Sequence, residues 1–205
     1  MLSGTKPGQI VILNGTPRSG KSSIANVIQN TFEGVWMNLG VDLFKQMTPE
    51  RYQPGIGLRP GGERPDLELL IVTLYRAMYE AIAQHSRLGL NVVVDVGHHD
   101  AYSVPRRILP RCAQQLQGLP VLFVGVRCPL EVIMQRRRAT WHTDDTTIPE
   151  AVILWQQAVH KPGIYDLEVD TSDLSPEECA EIIRHHLENS LPATALQRLA
   201  NMTTD

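Results

Sequence analysis

The chain has 205 residues, 42% hydrophobic and 20% charged, the balance of an ordinary globular protein with enough apolar surface for one substantial core. A formal net charge of −3 and a pI near 6.2 remove any global electrostatic reason to expect nucleic acid or an anionic membrane as a partner. No apolar run approaches the roughly 18 residues of a membrane span, and Cys112, Cys128 and Cys179 form no C-x-x-C pair, so the expectation is a single cytoplasmic domain over residues 1–205 without a structural metal.

The first informative stretch is residues 8 to 23, GQIVILNGTPRSGKSS. An apolar strand over 9 to 14 leads into a G-x-x-x-x-G-K-S run that opens at Gly15 and closes on Gly20, Lys21 and Ser22. This is the phosphate-binding P-loop in its required context of strand, turn and helix. Backbone N–H groups of Gly15, Thr16, Pro17's neighbours Arg18 and Ser19, and Gly20 wrap one anion, and the dipole of a helix over about Ser22 to Thr31 adds positive potential. Pro17 stiffens the loop and Ser23 extends the contact surface. Lys21 reaches the outer phosphates as a point charge, and the Ser22 hydroxyl suits Mg²⁺. Arg18 fits either phosphate contact or plain exposure. The plainer reading makes Gly15 and Gly20 a simple turn with Ser19 as helix cap.

The next strand, 35 to 39, is followed by Gly40-Val41-Asp42. Asp42 fits two roles: N-cap of the following LFKQM helix, or general base for a hydroxyl acceptor facing the γ-phosphate. The segment from Thr48 to Pro65, TPERYQPGIGLRPGGERP, has no period and reads as a loop of about 18 residues, a length that marks substrate lids or disorder. From Asp66 to Leu88, Leu67, Leu70, Ile71, Leu74, Met78 and Ile82 recur at helical spacing, and Gly89 supplies the stop.

A strand over 90 to 96 carries Asp95, placed to hold Mg²⁺ beside Ser22 or to bind local amides. His98, His99 and Asp100 follow as acceptor-pocket candidates, with a polar loop as the plainer reading. Helices are expected to begin near Pro105, Pro129, Pro149 and Pro176, the last with a Ser175-x-x-Glu178 capping box. Strands over 120 to 127 and 165 to 170 complete the set, and the tail from 192 to 205 holds one short helix, ALQRLA. Strands alternating with helices predict a parallel sheet covered on both faces. All strand ends then meet at one edge, which gathers the P-loop, Asp42 and Asp95 in one crevice.

Arg136, Arg137 and Arg138 lie on the helix after the fourth strand, about 100° apart. At most two reach the phosphates; Arg136 is the first candidate to close over the transferring group and Arg138 the next. Trp141, Trp155 and Tyr165 read as core.

Together, GQIVILNGTPRSGKSS, LGVD (39–42), VVVD (92–95), VGVRCP (124–129) and YDLEVDTS (165–172) resemble the chloramphenicol phosphotransferase-like family of P-loop kinases over about residues 9 to 188. The resemblance implies a three-layer α/β/α fold with a five-stranded parallel sheet in the order 2-3-1-4-5. It implies ATP with Mg²⁺ on Ser22 and Asp95, Asp42 as general base, Arg136 as lid arginine, and Thr171 to Leu174 beside the purine. Val96 stands where relatives often carry a second acid, Thr140 where a second lid arginine is usual, and the 48–65 segment matches poorly. Kinase chemistry therefore carries over better than chloramphenicol as the substrate. The expectation is an ATP-dependent O-phosphotransferase acting on a small hydroxylated molecule. A regulatory NTPase and a kinase of nucleotides or polynucleotide ends are the alternatives, and oligomeric state stays open.

Overall fold

The first apolar run forms β1 (Ile10–Asn14), buried along its whole length, and it takes the centre of a five-stranded sheet. The computed structural model describes residues 6–141, 148–189 and 193–202; the side chain of Trp141 and tail residues 192 and 203–205 lie outside the described residues. β2 (Trp36–Asn38), β3 (Asn91–Val96), β4 (Val121–Arg127) and β5 (Leu167–Asp170) each fall within their apolar runs. All pairings are parallel, in the order β2-β3-β1-β4-β5, as the resemblance implied.

Alternation along the strands assigns each side chain to a layer. Ile10, Ile12, Val92, Val94 and Phe123 face α3 (Glu68–Arg87), α4 (Ile108–Gln115) and α8 (Ala195–Asn201), meeting Ile71, Met78, Ile82, Cys112 and Leu199. Val11, Leu13, Val93, Leu122 and Val124 face α1 (Lys21–Thr31) and α7 (Pro176–Asn189), meeting Ile24, Ile28, Cys179 and Ile183. With both faces covered, the continuous apolar runs need no polar side, which is why they were legible. At the start of α7 the capping box forms: the Glu178 N–H donates to Ser175 Oγ at 3.2 Å, and the Ser175 N–H donates to the Glu178 carboxylate at 2.8 Å.

Two expectations change. The fourth helix starts at Ile108, not near Pro105, because the Asp100 carboxylate accepts the N–H groups of Arg106 and Arg107 at 2.7 and 2.9 Å. Those bonds hold a turn that ends with Arg107 at φ 51, a left-handed conformation no helix can pass through. Glu68, the first residue of α3, explains the rest of that loop: its fully buried carboxylate accepts from the Ser103 N–H, the Ser103 hydroxyl and the Arg106 guanidinium at 2.6–2.7 Å. Burial pushes the Glu68 pKa up, but these donors outweigh it and hold it below the usual carboxylate range.

The 48–65 segment is not an open loop. It holds three short 3₁₀ turns, Glu50–Tyr52, Gly55–Gly57 and Pro65–Leu67, and it buries Ile56 and Leu58 to 2% and 1% exposure. His99 Nε2 meets the Leu58 carbonyl at 3.1 Å, and the Gly61 N–H donates to the Ala101 carbonyl at 2.8 Å. The segment is a fixed wall beside α2 (Val41–Met47) and α3.

Candidate active site

The P-loop wraps as its glycines allow. A Cβ on Gly15 would lie 2.5 Å from the Val126 carbonyl oxygen, so only glycine lets β1 turn there. Arg18 at φ 70 and Gly20 at φ 90 both adopt left-handed backbone, the conformation from which anion-binding nests of amides are built, while the Gly15 and Ser19 N–H groups donate to the Val96 and Thr16 carbonyls at 3.2 Å. Gly20 is the N-cap of α1 and no side chain caps the helix, so its first N–H groups face the cleft. Ser19 is buried and is not the cap; its hydroxyl accepts from Lys21 Nζ at 3.5 Å. Lys21 Nζ also donates to the Thr16 carbonyl at 2.6 Å. Burial lowers the Lys21 pKa to about 8, against the opposing pull of Asp95 and Asp42.

Asp95 on β3 stands level with Leu13 on β1, and the Ser22 hydroxyl donates to its Oδ2 at 2.6 Å. These oxygens are the hard donors Mg²⁺ prefers, so the pair fits that ion. Gly40 makes the placement of Asp95 possible, since a Cβ there would sit 1.7 Å from Asp95 Oδ1. Gly40→Ala is therefore expected to push the Asp95 carboxylate away from Ser22. A fall of at least about tenfold in Mg²⁺-dependent turnover and a stability loss of about 1–3 kcal/mol would be read by metal titration and urea denaturation.

Gly40 is also the N-cap of α2, which puts Asp42 in the first helical turn and not at the cap. Asp42 is exposed and lines the same cleft as Lys21 and Asp95.

Arg136, on α5 (Leu130–Trp141), donates to the Thr171 carbonyl at 2.5 Å, to Thr171 Oγ1 at 3.0 Å and to the Arg18 carbonyl at 3.3 Å. Thr171 Oγ1 in turn donates to the Ser19 carbonyl at 2.8 Å. The structure thus ties Arg136 and Thr171 together behind the P-loop, on the side assigned to the purine. Arg137 turns into the cleft and Arg138 does not line it, so the arginine run divides as helical geometry demands, with Arg137 in the place expected of Arg138. Arg18 reaches Thr140 Oγ1 at 3.4 Å, the position where relatives carry a second arginine.

The cleft has a volume of about 900 Å³. Its far wall comprises residues that sequence reasoning missed: Lys45, Ile56, Arg59, Tyr75 and Trp155. Trp155, on α6 (Glu150–Ala158), is half-buried and not core: it packs over Gly97, where a Cβ would meet its ring at 3.0 Å. His98 and His99 are neither pocket-lining nor a solvated loop. They are 2% and 6% exposed and back the wall, His98 against Tyr75 at 4.6 Å and His99 edge-on to Trp155 at 5.0 Å. Burial drives the His98 pKa down to about 3, so its ring is neutral and structural. Nothing local in the sequence marks this wall, which comes from four separate stretches.

The family model described as chloramphenicol phosphotransferase-like protein matches residues 8–188. The chain belongs to this family. It is a kinase with the P-loop fold. Two Mycobacterium tuberculosis proteins, from strains CDC 1551 and H37Rv, whose names give them provisionally as O-phosphotransferases, are 26% identical to it over 203 residues, spanning 87% of this chain and 82% of theirs. Acinetobacter baumannii shikimate kinase in complex with shikimate is similar in fold, with TM-score 0.57 and 12% identity over 91% of this chain and 96% of that one. The Mycobacterium tuberculosis APS kinase in complex with AMPPNP and APS gives TM-score 0.54 and 18% identity over 89% and 99%. Among the described residues, no helix of this family member is long and apolar enough to cross a membrane.

Proposed function

We propose that this family member transfers the γ-phosphoryl group of ATP, with Mg²⁺, to a hydroxyl of a small molecule. The observation that carries the reading is the convergence in one cleft of Lys21, the Ser22–Asp95 pair at 2.6 Å and Asp42. The P-loop amides and Lys21 hold the polyphosphate, and Ser22 and Asp95 would hold Mg²⁺, which supplies neutralisation of phosphate charge when bound.

Asp42 orients the acceptor and takes its proton. The acceptor oxygen forms a new bond to the γ-phosphorus, the bond from that phosphorus to the bridging oxygen breaks, ADP leaves, and the proton goes to the Asp42 carboxylate. Arg136 and Thr171 position the nucleotide from behind. Arg137, projecting into the cleft, is placed to stabilise charge on the transferring group alongside Arg136.

The test is a screen of γ-labelled ATP against hydroxylated metabolites and antibiotics, chloramphenicol included. Label on a small acceptor supports the reading. ATP hydrolysis with no labelled acceptor would favour a regulatory NTPase.

A further inference from the structure

Given the phosphotransferase reading, we propose that Tyr75 is the acceptor's second anchor: its phenol hydrogen-bonds a further polar group of the acceptor, a hydroxyl or a carbonyl, while the hydroxyl to be phosphorylated faces Asp42. Tyr75 lies on α3 and lines the cleft together with Asp42, Ile56, Val96 and Trp155. It is only 3% exposed, yet among the described residues no hydrogen bond engages its hydroxyl. Tyr79, one turn later and fully buried, pairs its own hydroxyl with His98 Nε2 at 2.7 Å, as a buried phenol ordinarily does. Among the described residues, the side-chain polar atom that is both enclosed and without a partner is His98 Nδ1. The Tyr75 hydroxyl, also without a partner, is therefore not enclosed, and it opens on the cleft that Tyr75 lines.

The sheet order puts this anchor on the acceptor side. Arg136 and Thr171 come from the elements that follow β4 and β5, whereas Asp42 follows β2, and α3 packs on β3 and on the Gly55–Gly57 turn. The P-loop, after the central β1, lies between the two groups. The ring of Tyr75 is fixed as firmly as its helix. It packs on the His98 ring at 4.6 Å, and the His98 N–H donates at 2.8 Å to Oδ1 of Asn14, the residue that precedes the P-loop. The phenol therefore holds a set place relative to the phosphates. Burial pushes its pKa well above the ordinary phenol value, so it stays neutral and offers one donor and acceptor lone pairs, the complement of a hydroxyl or carbonyl. An acceptor that brings only hydrocarbon to this spot displaces water from the phenol and leaves it unpaired, a cost that a matched polar group avoids.

The test uses the full chain with Mg²⁺, γ-labelled ATP and matched benzyl alcohols inside the wider acceptor screen: 1,4-benzenedimethanol, 4-(hydroxymethyl)acetophenone and 4-methylbenzyl alcohol, each with its 3-substituted isomer to vary the spacing. The expected result is kcat/KM for the diol or the ketone at least about fivefold above the methyl compound, the better of the two naming the group. Tyr75→Phe should bring that ratio to about one, the KM of the polar acceptor rising, that of the methyl compound falling and that of the nucleotide staying put. Since the hydroxyl has no partner in the protein among the described residues, the variant should melt no lower than the parent. Where the screen labels another acceptor instead, Tyr75→Phe is read on that compound, and an unmoved acceptor KM counts against the anchor. Equal transfer to the methyl compound by the parent, a ratio that survives the substitution, or a lowered melting temperature overturns the role of Tyr75 and leaves the phosphotransferase standing. ATP hydrolysis without transfer to any member of the screen removes both.

Discussion

Asp42→Asn should lower kcat for phosphoryl transfer by about 10²–10⁴-fold, the usual contribution of a positioned general base, while the KM for nucleotide and the unfolding free energy stay within experimental error of the parent. The prediction is sharp because Asp42 does little else. Among the described residues no hydrogen bond or ion pair engages its side chain, and the cap of α2 is Gly40. Asparagine keeps the shape of the side chain and its place in the first helical turn. What it loses is a carboxylate oxygen able to accept the acceptor's proton, together with one negative charge that favours the charged form of Lys21. Steady-state kinetics with an acceptor from the labelled screen, paired with urea denaturation, separates the two quantities. Near-parent kcat would remove Asp42 from the chemistry and leave the cleft without a base.

How much of this was legible from the residues depended on how local the cause was. The P-loop is encoded in eight consecutive residues, and Asp95 in a strand whose apolar run ends beside it, so both read directly from the chain. The strands were equally plain, because a sheet covered on both faces writes itself as uninterrupted Val, Ile and Leu. The start of α4 was misread since its true cause, Asp100 gripping the amides of Arg106 and Arg107, competes with a proline signal. The 48–65 wall was opaque for a different reason. Its order comes from His99 and Ala101, roughly forty residues away, and from burying Ile56 and Leu58 against a helix that begins later in the chain. Trp155 and Arg59 face each other's cleft only after five strands have aligned. The P-loop and Asp95 therefore read from local sequence, whereas the far wall of the cleft is a product of tertiary packing.

Lys21→Met should cut turnover by about 10²–10³-fold, the order lost when a donor to developing phosphate charge is removed, and yet leave the fold as stable as before or more so at neutral pH. Burial holds the Lys21 pKa near 8 in the folded protein, below the ~10.4 of an unfolded lysine. Between those values the unfolded chain binds the extra proton, so the parent gains stability as pH rises through 8 and carries the full cost of a buried ammonium below it. Methionine keeps the length of the stem and removes that cost, while the lost bonds to Thr16 and Ser19 offset part of the gain. Thermal denaturation from pH 7 to 10 should show the parent's dependence flattened in the variant. The same ionisation governs binding. Phosphates favour charged Lys21, so nucleotide affinity in the parent should weaken above pH 8 by up to about tenfold per pH unit, with proton uptake on binding. Calorimetry in buffers of different ionisation enthalpy measures that uptake, and a proton count of zero at pH 9 would show that Lys21 is not the group the phosphates meet.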